Sequence, residues 1–88
     1  MPFTVKLMPE ARKDCRFWEK HNLGIANRVK DMLKDLERSP FDGIGNPEPL
    51  KYGLQGFWSR RITKEHRIWY SIEDGAVIVH RCYGHYHS

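Results

Sequence analysis

The chain has 88 residues, a formal net charge of +4, and 40% hydrophobic against 30% charged residues. Such a length holds one core and hides only about 60–65% of the surface exposed on unfolding, which excludes a multidomain machine and predicts a single domain over residues 1–88; the composition excludes wholesale disorder. The positive excess favours a polyanionic partner such as nucleic acid, or an acidic protein that masks the charge.

Phe3-Thr4-Val5-Lys6-Leu7 alternates apolar and polar residues, the period of a half-buried strand. Pro9 suits the first turn of a helix, where its missing N–H has no partner to lose. Ala11, Cys15 and Trp18 then form an apolar stripe on a helix expected to end near His21. Asn22 is placed to cap a second helix, along which Ile25, Val29, Met32, Leu33 and Leu36 recur at helical spacing. Pro40 closes it, because a residue before proline is pushed out of the helical region. From 39 to 49 the chain is punctuated by Pro40, Gly43, Gly45, Pro47 and Pro49 and reads as a stiff loop. Three strands follow, at 56–62, 67–72 and 76–82, with Lys64-Glu65 as one hairpin tip and Glu73-Asp74-Gly75 as the turn of another. The order β-α-α-β-β-β predicts an α+β two-layer sandwich, two helices packed on one face of an antiparallel sheet.

The register of the first hairpin stays open. A two-residue tip sets Ile62 opposite Arg67, with Trp58, Arg60 and Trp69 sharing a face; a shift of one residue brings Arg61 to Arg67's side instead. Either way arginines alternate with large aromatics, the composition of a surface that grips phosphates and stacks on bases. Phe57 and Tyr70 are expected in the core.

Cys15 and Cys82 make no disulfide framework, and free thiols in a reducing cytoplasm are the default. No charged-then-apolar leader opens the chain, and no apolar run approaches the roughly 18 residues of a membrane span. A cytoplasmic protein without membrane contact is therefore expected. Cys82 reads as a buried strand cysteine before a nucleophile. His80, Cys82, His85 and His87 bear metal-ligand side chains, and the spacing His80-x-Cys82 puts two on one strand face, but no second cluster completes a zinc signature. No metal or other cofactor is expected. His66, beside a hairpin tip, reads as structural or solvent-facing.

Between residues 51 and 88, Lys51, Arg60, Arg61, Lys64, Arg67 and Arg81 outnumber Glu65, Glu73 and Asp74. Glu48 stands between Pro47 and Pro49, whose rings limit the local backbone; taken alone, it reads as a solvated loop carboxylate. Together with His85, these groups supply what RNA cleavage needs. RNA carries its own nucleophile in the 2′-hydroxyl, so an enzyme must remove that proton, neutralise the phosphorus transition state and return a proton to the departing 5′-oxygen. On this hypothesis Glu48 is the general base, His85 the general acid and Arg67 the main transition-state cation, with Tyr86 orienting His85 or the substrate. Lys51, Arg60, Arg61 and Trp58 are the candidate RNA-binding residues. Two rival readings are a non-catalytic RNA- or ribosome-binding translation inhibitor and a protein whose basic face docks an acidic partner.

Three blocks in order add a resemblance: Ser39-Pro40-Phe41-Asp42-Gly43 with Gly45-Asn46-Pro47-Glu48-Pro49-Leu50-Lys51; Gly56-Phe57-Trp58-Ser59-Arg60-Arg61-Ile62-Thr63 with Glu65-His66-Arg67; and Cys82 through His85-Tyr86. They resemble the YoeB/Txe branch of the RelE toxin superfamily. The resemblance implies the RelE-like microbial RNase fold and ribosome-dependent cleavage of mRNA in the A site, which halts translation. It implies Glu48, Arg67 and the His85-Tyr86 pair as catalytic residues. As partners it implies a YefM/Axe-like antitoxin, mRNA and the ribosome, operator DNA only through the antitoxin complex, and a homodimer. The chain departs from the family pattern at Tyr83, where a basic residue is common, and in extending by His87 and Ser88.

Overall fold

A computed structural model of the protein describes residues 2–51 and 56–84. The chain begins with strand β1 (Thr4–Leu7) and passes through helices α1 (Pro9–His21) and α2 (Leu23–Arg38). Strands β2 (Glu48–Pro49), β3 (Phe57–Arg61), β4 (Arg67–Glu73) and β5 (Ala76–Arg81) complete a five-stranded sheet of order β1-β5-β4-β3-β2. The helices follow the sequence closely. Pro9 opens α1, and the Asn22 side chain accepts from Ile25 N–H at 3.1 Å to cap α2. Ser39 is extended (φ −161°, ψ 130°), as a residue before proline should be. Ala26, Val29, Met32 and Leu36 form the buried stripe of α2 against Ile68, Tyr70, Val77 and Val79 of the sheet. This is the expected α+β sandwich.

Two features of the sheet differ from the expected antiparallel meander. β1 runs parallel to β5, so the sheet is mixed. A parallel neighbour needs a long crossover, and here the helices and the meander together return the chain to β1's side. Glu48-Pro49, read as loop, pairs antiparallel with Ser59 and Trp58 as an edge strand. Proline tolerates that position because an edge strand has one side free of ladder bonds. The Glu73-Asp74-Gly75 turn is as expected: Asp74 and Gly75 have φ of +49° and +78°, the two left-handed positions of a tight hairpin.

The β3–β4 register is the one in which Arg61 faces Arg67, Ser59 faces Trp69 and Trp58 faces Tyr70. Ile62 and Thr63 N–H both bond His66 O, at 2.9 and 3.1 Å, closing a connection longer than a two-residue tip. Thr63 Oγ1 accepts from the N–H groups of Glu65 and His66 inside it. Strand alternation then separates the two neighbouring arginines: Arg61 is exposed, and Arg60 turns toward the helices with Trp58. The placement of Arg60 and Trp58 on the phosphate-binding face is corrected accordingly. Phe57 is corrected too. It lies half-buried on the outer face against His80, with ring centroids 4.9 Å apart.

Arg60 is fully buried, and each of its five guanidinium N–H donors has an acceptor. Nε donates to Tyr70 Oη at 3.3 Å. Nη1 donates to Asp35 Oδ2 at 2.6 Å and Ile44 O at 3.2 Å. Nη2 donates to Ser39 O and to Asp42 O. Tyr70 Oη donates onward to Pro40 O at 2.6 Å. The far carboxylate oxygen of Asp35 accepts from Arg38 Nε at 3.0 Å, and Oδ2 also takes Ile44 N–H. Burial pushes the Asp35 carboxyl up, but hydrogen bonds from Arg38, Arg60 and Ile44 N–H outweigh it and hold it at about 2.

A carboxyl depressed from 3.8 to about 2 contributes about 2 kcal/mol of stability. That contribution is complete above about pH 4 and drains away as pH falls toward about 2. Denaturant unfolding of the wild type should show this acid limb. Asp35→Asn should start about 3 kcal/mol lower at pH 7, through the broken buried pair, and lose correspondingly less between pH 4 and 2. An acid limb identical in the two proteins would contradict the assignment.

Candidate active site

The buried Arg60 cluster shapes the segment that carries Glu48. Four of its acceptors are Ser39, Asp42 and Ile44 carbonyls and the Asp35 carboxylate, so residues 39–44 wrap around one guanidinium. Two glycines make the wrap possible. A Cβ on Gly43 (φ +128°) would lie 2.0 Å from Asp35 Oδ2, and one on Gly45 (φ +82°) would lie 2.6 Å from Met32 Cε and 2.9 Å from Arg61 O. Gly45 O then accepts from Arg61 N–H at 2.7 Å, which docks the chain alongside β3 just before β2.

From that dock the pairing sets the faces. Glu48 lies directly opposite Ser59, and Ser59 directly opposite Trp69, so all three share the outer face of the sheet. Arg67 belongs to the same face and donates from Nη1 to Ser59 Oγ at 3.5 Å. Glu48 is exposed, with its carboxylate steadied by Asn46 Nδ2 at 3.0 Å. Arg61, exposed, is the cross-strand partner of Arg67. Two like charges directly opposite destabilise a sheet by a few tenths of a kcal/mol to about 1 kcal/mol, a cost that an anion bound between them would relieve. Lys51 is exposed just beyond β2. The structure thus brings Glu48, Arg61 and Arg67 together on one surface and removes Arg60 and Trp58 from it. His85 and Tyr86 lie outside the described residues, as does His87.

The chain reaches residue 84 along a well-fastened path. A β-bulge in β5 puts Trp69 opposite Arg81 and Tyr70 opposite Val79. It shifts the strand's parity, so His80 meets Ser71 on the outer face at 2.9 Å while Cys82 is buried beneath α1. This corrects the expectation that His80 and Cys82 share a face. The hydrogen bond with Cys15, and burial with it, push the Cys82 thiol above its ordinary range, which favours the protonated, buried strand cysteine the sequence suggests. Burial lowers the His80 pKa and favours its neutral ring. Among the described residues no group of His, Cys, Asp and Glu is arranged to hold a metal ion.

Asp14 and Trp18 were not legible as site supports. Asp14 is buried on α1, where its carboxylate accepts from Arg81 Nε at 2.8 Å and Cys82 N–H at 2.9 Å. Trp18 Nε1 donates to Cys82 O at 2.8 Å. Gly84 follows, its N–H bonded to His66 Nδ1 and its carbonyl to Arg67 N–H, both at 2.9 Å. The signal for Asp14 was its i, i+3, i+7 placement with Ala11 and Trp18, a stripe in which a charged residue does not advertise burial.

The chain matches the family described as the YoeB-like toxin of bacterial type II toxin–antitoxin systems over residues 7–86. It is 43% identical over 77 residues to Toxin YoeB of Escherichia coli (strain K12), covering 88% of this chain and 92% of that protein. It is similar to the solved YoeB dimer from Staphylococcus aureus at a TM-score of 0.86 and 31% identity, over 98% of this chain and 100% of that one. A YoeB–YefM complex from Staphylococcus aureus contains a chain similar at a TM-score of 0.83 and 32% identity, with the same coverage.

The two neighbouring arginines should separate cleanly in experiment. Arg60→Ala leaves Asp35 and three carbonyls without their donor and should cost about 3–5 kcal/mol of stability. Arg61→Ala should change stability by less than about 0.5 kcal/mol, yet weaken binding to a single-stranded RNA and reduce the salt slope of that binding by roughly one phosphate contact. Denaturant midpoints and titrations at several salt concentrations check both. Equal destabilisation by the two substitutions would refute the register.

Proposed function

Because the chain belongs to the YoeB-like toxins of bacterial type II toxin–antitoxin systems, we propose that it is a ribosome-dependent endoribonuclease that cuts mRNA in the A site. Glu48 takes the proton from the 2′-hydroxyl as its oxygen attacks the adjacent phosphorus. Arg67 stabilises the negative charge that builds on the phosphoryl oxygens. His85 gives a proton to the departing 5′-oxygen, which leaves a 2′,3′-cyclic phosphate on one fragment and a 5′-hydroxyl on the other. Tyr86 orients His85 or the substrate, and Arg61 and Lys51 hold the scissile and neighbouring phosphates.

One observation carries this reading: a proline-flanked carboxylate and an arginine meet on one sheet face at Ser59, while the peptide before His85 is bonded to the backbone of that same arginine. Among the described residues the Arg67 guanidinium donates to the neutral hydroxyl of Ser59, which supports a phosphate as its charged partner. The outer face is also the one the helices leave uncovered, where a long polyanion can lie.

The likeness to the Staphylococcus aureus complex supports an antitoxin of YefM type as the partner; that the antitoxin masks this basic face, and that the pair represses its own operon at operator DNA, belong to the same proposal. The likeness to the Staphylococcus aureus dimer supports a homodimer. Among the described residues no helix is long and apolar enough to cross a membrane.

The test is in vitro translation with purified protein and mapped RNA ends. Wild type should produce new ends within codons, carrying cyclic phosphate. Glu48→Ala, Arg67→Ala and His85→Ala should each slow cleavage by about 10²-fold or more while remaining folded. Arrested translation without new ends would instead establish a non-catalytic ribosome-binding inhibitor. Full-rate cleavage by folded Glu48→Ala and His85→Ala proteins would end the catalytic assignment.

A further inference from the structure

His66 has no part in the chemistry above, yet it makes a specific contact at the edge of the site. Its Nδ1 accepts the Gly84 N–H at 2.9 Å. An acceptor at Nδ1 places the ring proton of the neutral imidazole on Nε2. The next residue, Arg67, opens β4 and donates its backbone N–H to Gly84 O at 2.9 Å. Two successive residues, the last of the hairpin connection and the first of β4, therefore hold both polar groups of Gly84, the residue immediately before His85.

The ring of His66 is itself fixed on two sides. Trp18 meets it edge-on at 4.7 Å, and Tyr83 lies 4.8 Å away. Tyr83 in turn stacks on Trp18 at 5.3 Å with 22° between planes. The backbone of His66 is no looser, since its N–H bonds Thr63 Oγ1 and its carbonyl takes two N–H groups of the hairpin connection. Gly84 has φ +85°, a conformation most other residues avoid. The chain thus leaves Tyr83 through a turn with no side chain to hold it, and the His66 acceptor supplies the hold instead.

We infer that His66, given the nuclease reading above on which this rests, is a positioning residue that fixes Gly84 against Arg67 and so sets where the chain delivers its general acid. His66 touches no reacting atom. It acts through one hydrogen bond, and loss of that bond frees the Gly84 N–H while leaving β4 and its pairing in place. Misplacing a catalytic group by about 1 Å costs up to 10²-fold in rate, so a single such bond is enough to matter.

Two substitutions separate the hydrogen bond from the ring packing. His66→Asn retains an acceptor two bonds from Cβ and discards the ring; His66→Phe retains the ring and discards the acceptor. NMR hydrogen exchange should show Gly84 N–H exchanging about five- to tenfold faster in His66→Phe, with His66→Asn close to wild type. In the ribosome-bound mRNA assay, His66→Phe should lower kcat by about tenfold with KM unchanged within about twofold, and His66→Asn should recover most of the loss. The reverse order, with Phe active and protected and Asn impaired, overturns the inference in favour of plain packing, as does Gly84 exchange that is the same in all three proteins. Wild type that does not cleave at all defeats the nuclease reading and with it the kinetic part, while the exchange data still decide whether His66 holds Gly84.

Discussion

One buried guanidinium organises this protein. Arg60 projects from the sheet into the helical layer and fills its five donors from α2, the loop after it and the neighbouring strand. A buried charge with every donor matched specifies a geometry more narrowly than apolar packing does, because each misplaced acceptor costs roughly 1–3 kcal/mol. The cluster therefore fixes three things together: the end of α2, the course of residues 39–44, and the side of β3 that faces inward. The position of Glu48 follows from the second and third.

The outer face then follows from strand geometry. Once Arg60 faces in, alternation sends Ser59 and Arg61 out, and the pairing of β3 with β2 and β4 aligns Glu48, Ser59 and Trp69 in a row with Arg61 and Arg67 beside it. The two layers divide the work. The helical side supplies stability through Met32, Leu36, Ile68, Tyr70, Val77 and Val79. The outer side carries the facing charges of Arg61 and Arg67, which cost the sheet a little stability that a bound anion would restore. Ser59 and Ser71 are both buried in this face, where Ser59 bonds Arg67 and Ser71 bonds His80.

A second support holds the end of the chain. Helix α1 reaches across to β5 through Asp14 and Trp18, which bind the peptide groups of Cys82, and His66 with Arg67 binds those of Gly84. The first α-helix, the hairpin connection and residues 82–84 thereby meet at one corner, next to the arginine on which the proposed chemistry depends. Trp18 and Tyr83 stack there, and Phe17 and His66 each pack against both of them. Tyr83 contributes three ring contacts to this corner, with Phe17, Trp18 and His66.

Much was legible in the residues themselves. Pro9, Asn22 and Pro40 bound the helices because each acts on its own backbone or on N–H groups within a turn, and Asp74-Gly75 made its hairpin turn for the same local reason. Ordered motif blocks identified the family, and with it the sandwich. What the sequence could not decide was which of two adjacent arginines faces in, that Asp14 is buried, that Glu48-Pro49 joins the sheet, or that β5 bulges at His80. Each of these depends on a partner far along the chain: Asp35 for Arg60, Arg81 and Cys82 for Asp14, Ser59 and Trp58 for the edge strand. Local chemistry sets the shape of each segment, but a one-residue slip in register costs nothing locally and reverses every side chain, so only the packed whole selects the face that carries function.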